Sequence, residues 1–147
     1  MKTEFEWNEE LGAATCVLID DKQRIFVGHA QCHDDDRDMM SERTGCEIAY
    51  RRARIDHLRM VREAELKPAL KALKQLYYSM KHSSHFNPKS YENKMLQRQI
   101  RLFEFDLATT NEIIASEQRF LKEYIQGKDK VYNRIRKAKQ NNEVISE

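Results

Sequence analysis

The chain reads as α+β and mainly α: a small N-terminal antiparallel β-hairpin followed by long antiparallel helices, assembled as an oligomer. Three observations predict this. Two short β-branched runs near the N-terminus flank a polar turn, apolar residues then recur at spacings of four and three for most of the chain, and only 4 Gly and 2 Pro interrupt 147 residues. That length fits a single domain, 1–147, read as a head (1–42), a long-helix hairpin (43–136) and a frayed tail (137–147).

In the head, "ATCVLI" and "RIFVGHA" are rich in β-branched and apolar residues, and "DDKQ" between them suits a hairpin turn. A two-stranded hairpin is marginal alone in water, so it must pack on helices or on another copy. An acidic loop, "CHDDDRD", follows.

The first helix is expected to open at "TGCE", with Thr44 as N-cap and Glu47 completing a capping box. It runs to Pro68, where the missing N–H and the ring clash should kink or divide it. Beyond, Leu66, Leu70, Leu73, Tyr77 and Met80 form a seam for lengthwise helix packing. The second helix is expected to begin at Asn87-Pro88, an N-cap followed by a favoured first-turn residue. Its seam runs from Leu96 through Ile100, Phe103, Leu107, Thr110, Ile114, Glu117, Leu121, Tyr124, Lys128 and Val131 to Ile135. A second stripe (Met95, Leu102, Ile113, Phe120) lies beside it, and one antiparallel partner cannot cover both, which predicts self-association.

The net charge of +2 conceals a division: −7 over residues 1–42, +6 over 43–82 and +3 over 83–147. An acidic head on a basic helix points to an anionic partner or to head-to-helix contact between subunits. No apolar run is long enough to span a membrane, the N-terminus lacks a signal-peptide core, and three scattered cysteines fit a reducing cytosol. A cytoplasmic protein is expected.

The turn "MKHSSHFNPKSYENK" joins the two helices, and a turn needs far less than it carries. Free N–H groups at Asn87 to Ser90 would make an anion site, with Lys81, His82, Lys89 and the Phe86 ring around it. Charge for phosphates and a π-surface for a base are what a nucleotide needs. Arg51 and Arg54, one turn apart in "YRRARIDHLR", and Arg98 and Arg101 in "LQRQIR" carry forks suited to phosphate, although pairing with Asp or Glu is the ordinary use of any one arginine. The candidate ligand-binding set is therefore Arg51, Arg54, Lys81, His82, Phe86, Asn87, Arg98 and Arg101, with no catalytic residue, metal or cofactor.

Two enzymatic patterns compete. His33-Asp34 is the pair used by HD-class metal phosphohydrolases, but it sits in a loop after a strand rather than in a helical core. His29, Cys32, His33 and Cys46 contain zinc-ligand types without the paired C-x₂-C spacing. No phosphate loop, nucleophile elbow or H-E-x-x-H occurs. A nucleic-acid-binding helical regulator is the other reading, opposed by the acidic head.

The order "LGAATCVLID…FVGHAQCH…D…SERTG…IAYRRARI…LR", followed by "LKPALKALKQLYYSMKHS…FNPKSYE", resembles the phage-encoded Thoeris anti-defence proteins of the first described type, from Leu11 to about Arg101. The resemblance implies a small β head on long helices, in dimers or higher oligomers. It implies a sponge that binds a cyclic ADP-ribose isomer made by TIR-domain enzymes, in some members also cyclic oligonucleotides, without cleaving it. The setting would be the cytosol of an infected bacterium.

Overall fold

The computed structural model describes residues 1–32 and 39–146, with side chains as far as Asn142. The His33-Asp34 pair, most of the acidic loop and Glu147 lie outside the described residues. The element order is β1 (Lys2–Asn8), β2 (Ala13–Ile19), β3 (Ile25–Gln31), α1 (Glu42–Val61), a π-helical turn (Arg62–Leu66), α2 (Lys67–Lys81) and α3 (Tyr91–Ser146). The expected α+β, mainly α architecture is present. The chain divides into two compact units, Met1–Asp56 with Ser116–Glu147, and His57–Ala115.

In the first unit the expected hairpin is β2–β3, and β1 adds a third antiparallel strand, giving the order β1-β2-β3. The glutamates of "KTEFEWN" obscured that strand, yet Phe5 and Trp7 alternate with them at the period of a sheet. Asp20 builds the β2–β3 turn. One carboxylate oxygen accepts the N–H groups of Lys22 (3.0 Å) and Arg24 (2.9 Å), and the other accepts Arg24 Nε at 2.7 Å. Gln23 completes the turn at φ 62°, in the left-handed region.

Phe5, Trp7, Ala14, Cys16, Leu18, Phe26, Gly28 and Ala30 share the sheet face that α1 covers. The approach is close. A Cβ on Gly28 would stand 1.8 Å from the Ala49 carbonyl oxygen and 2.6 Å from the Ala53 nitrogen, so glycine on the strand and alanines on the helix set the spacing. Gly45 lies against Trp7, Ala14 and Met40 in the same way.

Helix α1 starts earlier than expected. Ser41 is its cap, its Oγ accepting the Thr44 N–H at 3.1 Å, while Thr44 is buried within the first turn. Serine precedes a helix-forming Glu42-Arg43 pair, so the capping hydroxyl nearest the helix wins. Ahead of Pro68 the chain widens rather than breaks: the Lys67 N–H reaches back five residues to the Arg62 carbonyl. The π turn relieves the ring clash and lets α2 continue.

In the second unit α2 and α3 run antiparallel. Arg62 bonds Asn111, Lys74 pairs with Glu104, and Tyr77 meets Gln97. The seam residues Leu66, Leu70, Leu73, Tyr77 and Met80 are among the least exposed of their segment. The predicted α3 seam is covered through Lys128. Past it Tyr132 is buried while Val131 and Ile135 stay exposed, because 3.6 residues per turn drifts away from a strict heptad. The expected tail is helical to Ser146, since no Gly or Pro stops it. The neighbouring stripe stays open at Leu102 and Phe120.

Candidate functional site

The turn between α2 and α3 is built differently from the sequence expectation. Helix α3 begins at Tyr91, not at Asn87-Pro88, and its cap is Ser90, whose Oγ accepts the Asn93 N–H at 3.3 Å. Asn87 is spent on the turn: its side-chain oxygen accepts the Lys89 N–H at 3.0 Å, and its carbonyl accepts the Ser90 N–H at 3.1 Å. The free N–H groups expected at Asn87 to Ser90 are thus largely used internally, because an asparagine before proline closes an Asx turn more readily than it caps a helix three residues away.

The Phe86 ring is half-buried and meets Tyr77 edge-on, with centroids 6.0 Å apart. His82 ends α2 and lies 4.3 Å from Tyr78, ring to ring. Both turn aromatics therefore brace tyrosines, and those tyrosines wall a groove between α2 and α3.

The groove encloses about 490 Å³ and lies wholly within the second unit. Ile100 supplies an apolar surface, and Tyr77 and Tyr78 supply ring surfaces. Gln97 Nε2 donates to the Tyr77 hydroxyl at 3.2 Å. Three cations line it: Lys74, Lys81 and Arg101. Glu104 occupies Lys74 at 3.2 Å. Among the described residues, neither the Lys81 nor the Arg101 side chain has a hydrogen-bonding or ion-pair partner. Two uncommitted cations beside two tyrosine rings can hold a dianion that also carries a planar ring. A wider groove of about 750 Å³ adjoins on α2, sharing Lys74 and Tyr78 and floored by Leu70 and Leu107.

Of the eight residues expected to bind, Lys81 and Arg101 line the groove, while His82 and Phe86 back its tyrosines and Asn87 shapes the turn. Arg98 is exposed on α3 and does not line it. Arg51 and Arg54 belong to the other unit and are committed there. Arg51 Nη1 donates to both Glu117 oxygens at 2.8 and 2.9 Å, and Arg54 Nη1 donates to Oε1 at 3.1 Å. Arg51 also pairs with Glu47 at 3.0 Å and lies 4.1 Å over the Phe120 ring. The Glu117 hydrogen bond, with Glu47 adding to it, raises the Arg51 pKa against the cost of burial. The ordinary structural use of arginine prevails here.

Sequence reasoning missed Lys74, Tyr78, Gln97 and Asn93. Lys74, Tyr78 and Lys81 recur at four and three beside the apolar seam, a signal that was legible. Asn93 had none: it is buried, its amide donates to the Asn87 carbonyl, and its Oδ1 has no hydrogen-bond partner among the described residues. A buried acceptor left open beside the turn is costly unless a donor reaches it.

Of the zinc-type set, His29 lies exposed on the sheet with its Nδ1 3.2 Å from Thr15 Oγ1. Among the described residues no three His, Cys, Asp or Glu side chains cluster in a way that could hold a metal. Burial raises the thiol pKa of both Cys16 and Cys46. No described helix is long and apolar enough to cross a membrane. No family model, curated protein or solved structure matches the chain.

Proposed function

We propose that the protein binds and sequesters a cyclic ADP-ribose-type nucleotide signal without cleaving it, and thereby blocks Thoeris-type immunity during phage infection. The observation that carries this reading is the pairing of uncommitted Lys81 and Arg101 with the Tyr77 and Tyr78 rings in one groove. Its volume falls within the range of small-molecule sites, about 300–1,000 Å³. Phosphates take the cations and the base takes a ring face. The resemblance to the Thoeris anti-defence family supplies the identity of the signal. Homo-oligomers and cyclic oligonucleotides enter the proposal on the same footing.

Sequestration needs slow release rather than turnover, and several charge-assisted hydrogen bonds around one ligand supply it. The test is calorimetric titration with cyclic ADP-ribose isomers, followed by denaturation and chromatography of the released ligand. Saturable binding with intact ligand recovered supports the proposal. Linear product, or no binding, defeats it.

A second reading rests on one observation. Lys67, Lys71, Lys74 and Lys81 run along one side of α2, a spacing suited to successive phosphates of a nucleic acid. Binding of DNA or RNA with steep salt dependence, in competition with the nucleotide, would favour it.

A further inference from the structure

A second cavity lies within the first unit, between the end of β3, α1 and the α3 segment 125–132. It encloses about 230 Å³, below the roughly 300–1,000 Å³ of drug-sized ligands. At about 30 Å³ for each water-sized group, it has room for a body of about eight such groups. Its floor is apolar: Ala30, Met40, Ile48 and Tyr132 line it, and all are buried.

Its rim is ionic. Arg52 stands one turn beyond Ile48 on α1, and Lys128 and Asp129 stand on α3. One bond fixes Arg52 there, from Nη1 to the His29 carbonyl at 2.6 Å. Its other N–H groups have no partner among the described residues. The Lys128 ammonium lies 5.5 Å over the Tyr124 ring and meets no carboxylate among the described residues. Asp129 has no hydrogen-bonding or ion-pair partner among them either. Two cations and a carboxylate thus share one small opening without pairing. Opposite charges in contact would bond to each other, whereas charges held apart across a cavity suit a molecule that carries both signs.

We propose that this cavity binds a free α-amino acid whose apolar side chain is of about leucine size. The side chain covers the buried floor. The carboxylate takes the Arg52 fork and the Lys128 ammonium, and the amino acid's own ammonium takes Asp129. A bare anion would be opposed by Asp129, and a bare cation by Arg52 and Lys128. Inorganic phosphate would leave the floor unused. None of these residues belongs to the nucleotide groove, which is built within the other unit.

Equilibrium dialysis of the full chain with radiolabelled leucine, up to about 1 mM free ligand, tests this. Wild type should bind leucine saturably. Isocaproate, which lacks the ammonium, and isoamylamine, which lacks the carboxylate, should each compete at least about tenfold more weakly. Arg52→Gln should weaken leucine by about tenfold or more. Asp129→Asn should weaken leucine yet strengthen isocaproate, because it removes the charge that repels a carboxylate. Two ligands moving in opposite directions in one variant distinguish charge recognition from misfolding. Excess cyclic ADP-ribose should leave leucine bound. Absence of saturable leucine binding by wild type, or an Asp129→Asn variant that moves both ligands the same way, overturns the proposal. Displacement of leucine by cyclic ADP-ribose overturns it too. Failure on the first two counts leaves the nucleotide reading standing, since that groove shares no residue with this cavity.

Discussion

Arg51 and Arg54, one helical turn apart on α1, converge on the single carboxylate of Glu117, at 2.8 and 3.1 Å. Glu117 is buried on the seam of α3, whereas the arginines keep 25% and 38% of their side-chain surface. Its charge is acceptable there because two guanidinium groups neutralise it.

Removing Glu117 takes the carboxylate from Arg54 at a helix interface and leaves Arg51 with Glu47 alone. Glu117→Ala should cost about 2–3 kcal/mol, less than for a fully buried pair because both arginines reach water. Arg54→Ala should cost under about 1 kcal/mol, since Arg51 still holds both carboxylate oxygens. Urea denaturation checks both values, and equal losses would contradict the geometry.

Gly28 admits no side chain. Gly28→Ala must push β3 off α1, and a destabilisation of about 3 kcal/mol or more is expected, at the upper end of overpacking costs. A thermal melt within a few degrees of wild type would contradict the contact with Ala49.

Acid stability should depend on Asp20. Burial alone pushes its pKa up, but the backbone and side-chain hydrogen bonds and charge of Arg24, with the Lys22 N–H, outweigh it and hold the carboxyl below its ordinary 3.8. A carboxyl depressed on folding contributes fully above its unfolded pKa and loses that contribution as pH falls through the folded value. Wild-type stability should therefore decline below about pH 4, and Asp20→Asn should flatten that limb while lowering stability at neutral pH. Melts between pH 2 and pH 7, on the order of the ordinary carboxyl range, read both.

Binding should follow the groove rather than the turn. Lys81→Ala and Arg101→Ala should each weaken nucleotide affinity by about 1.5–3 kcal/mol, the loss of a hydrogen bond to a charged group, with little change in melting temperature. Phe86→Ala should chiefly destabilise the fold, by the roughly 0.5–1.5 kcal/mol of its edge-to-face pair with Tyr77, and so lower the melting temperature. Titration beside a melt of each variant separates the two effects. A large affinity loss in Phe86→Ala without destabilisation would place the ring against the ligand instead.

Gln23→Gly should stabilise the head by up to about 1 kcal/mol, because φ 62° is strained for glutamine and free for glycine. A lower melting temperature would show that the Gln23 side chain contributes more than its backbone costs.

The sequence by itself determined the β2–β3 hairpin, the antiparallel long helices, the α2 seam and most of the α3 seam. These rest on periodicity, and a period of two or of 3.6 survives whatever surrounds it. Lys81 and Arg101 stood out as cations too, one beside the turn and one in "LQRQIR", but the groove that gathers them did not. Tertiary structure decided what each remaining polar side chain does. Whether Arg51 meets phosphate or Glu117, whether Asn87 caps a helix or closes a turn, and whether Asn93 Oδ1 finds a donor depend on partners distant in sequence, or on a competition between hydrogen bonds of nearly equal energy. The third strand belongs here too. "KTEFEWN" carries too many glutamates to fold on local preference, and it becomes a strand because β2 offers an open edge while Tyr50 and Gly45 of α1 meet Phe5 and Trp7.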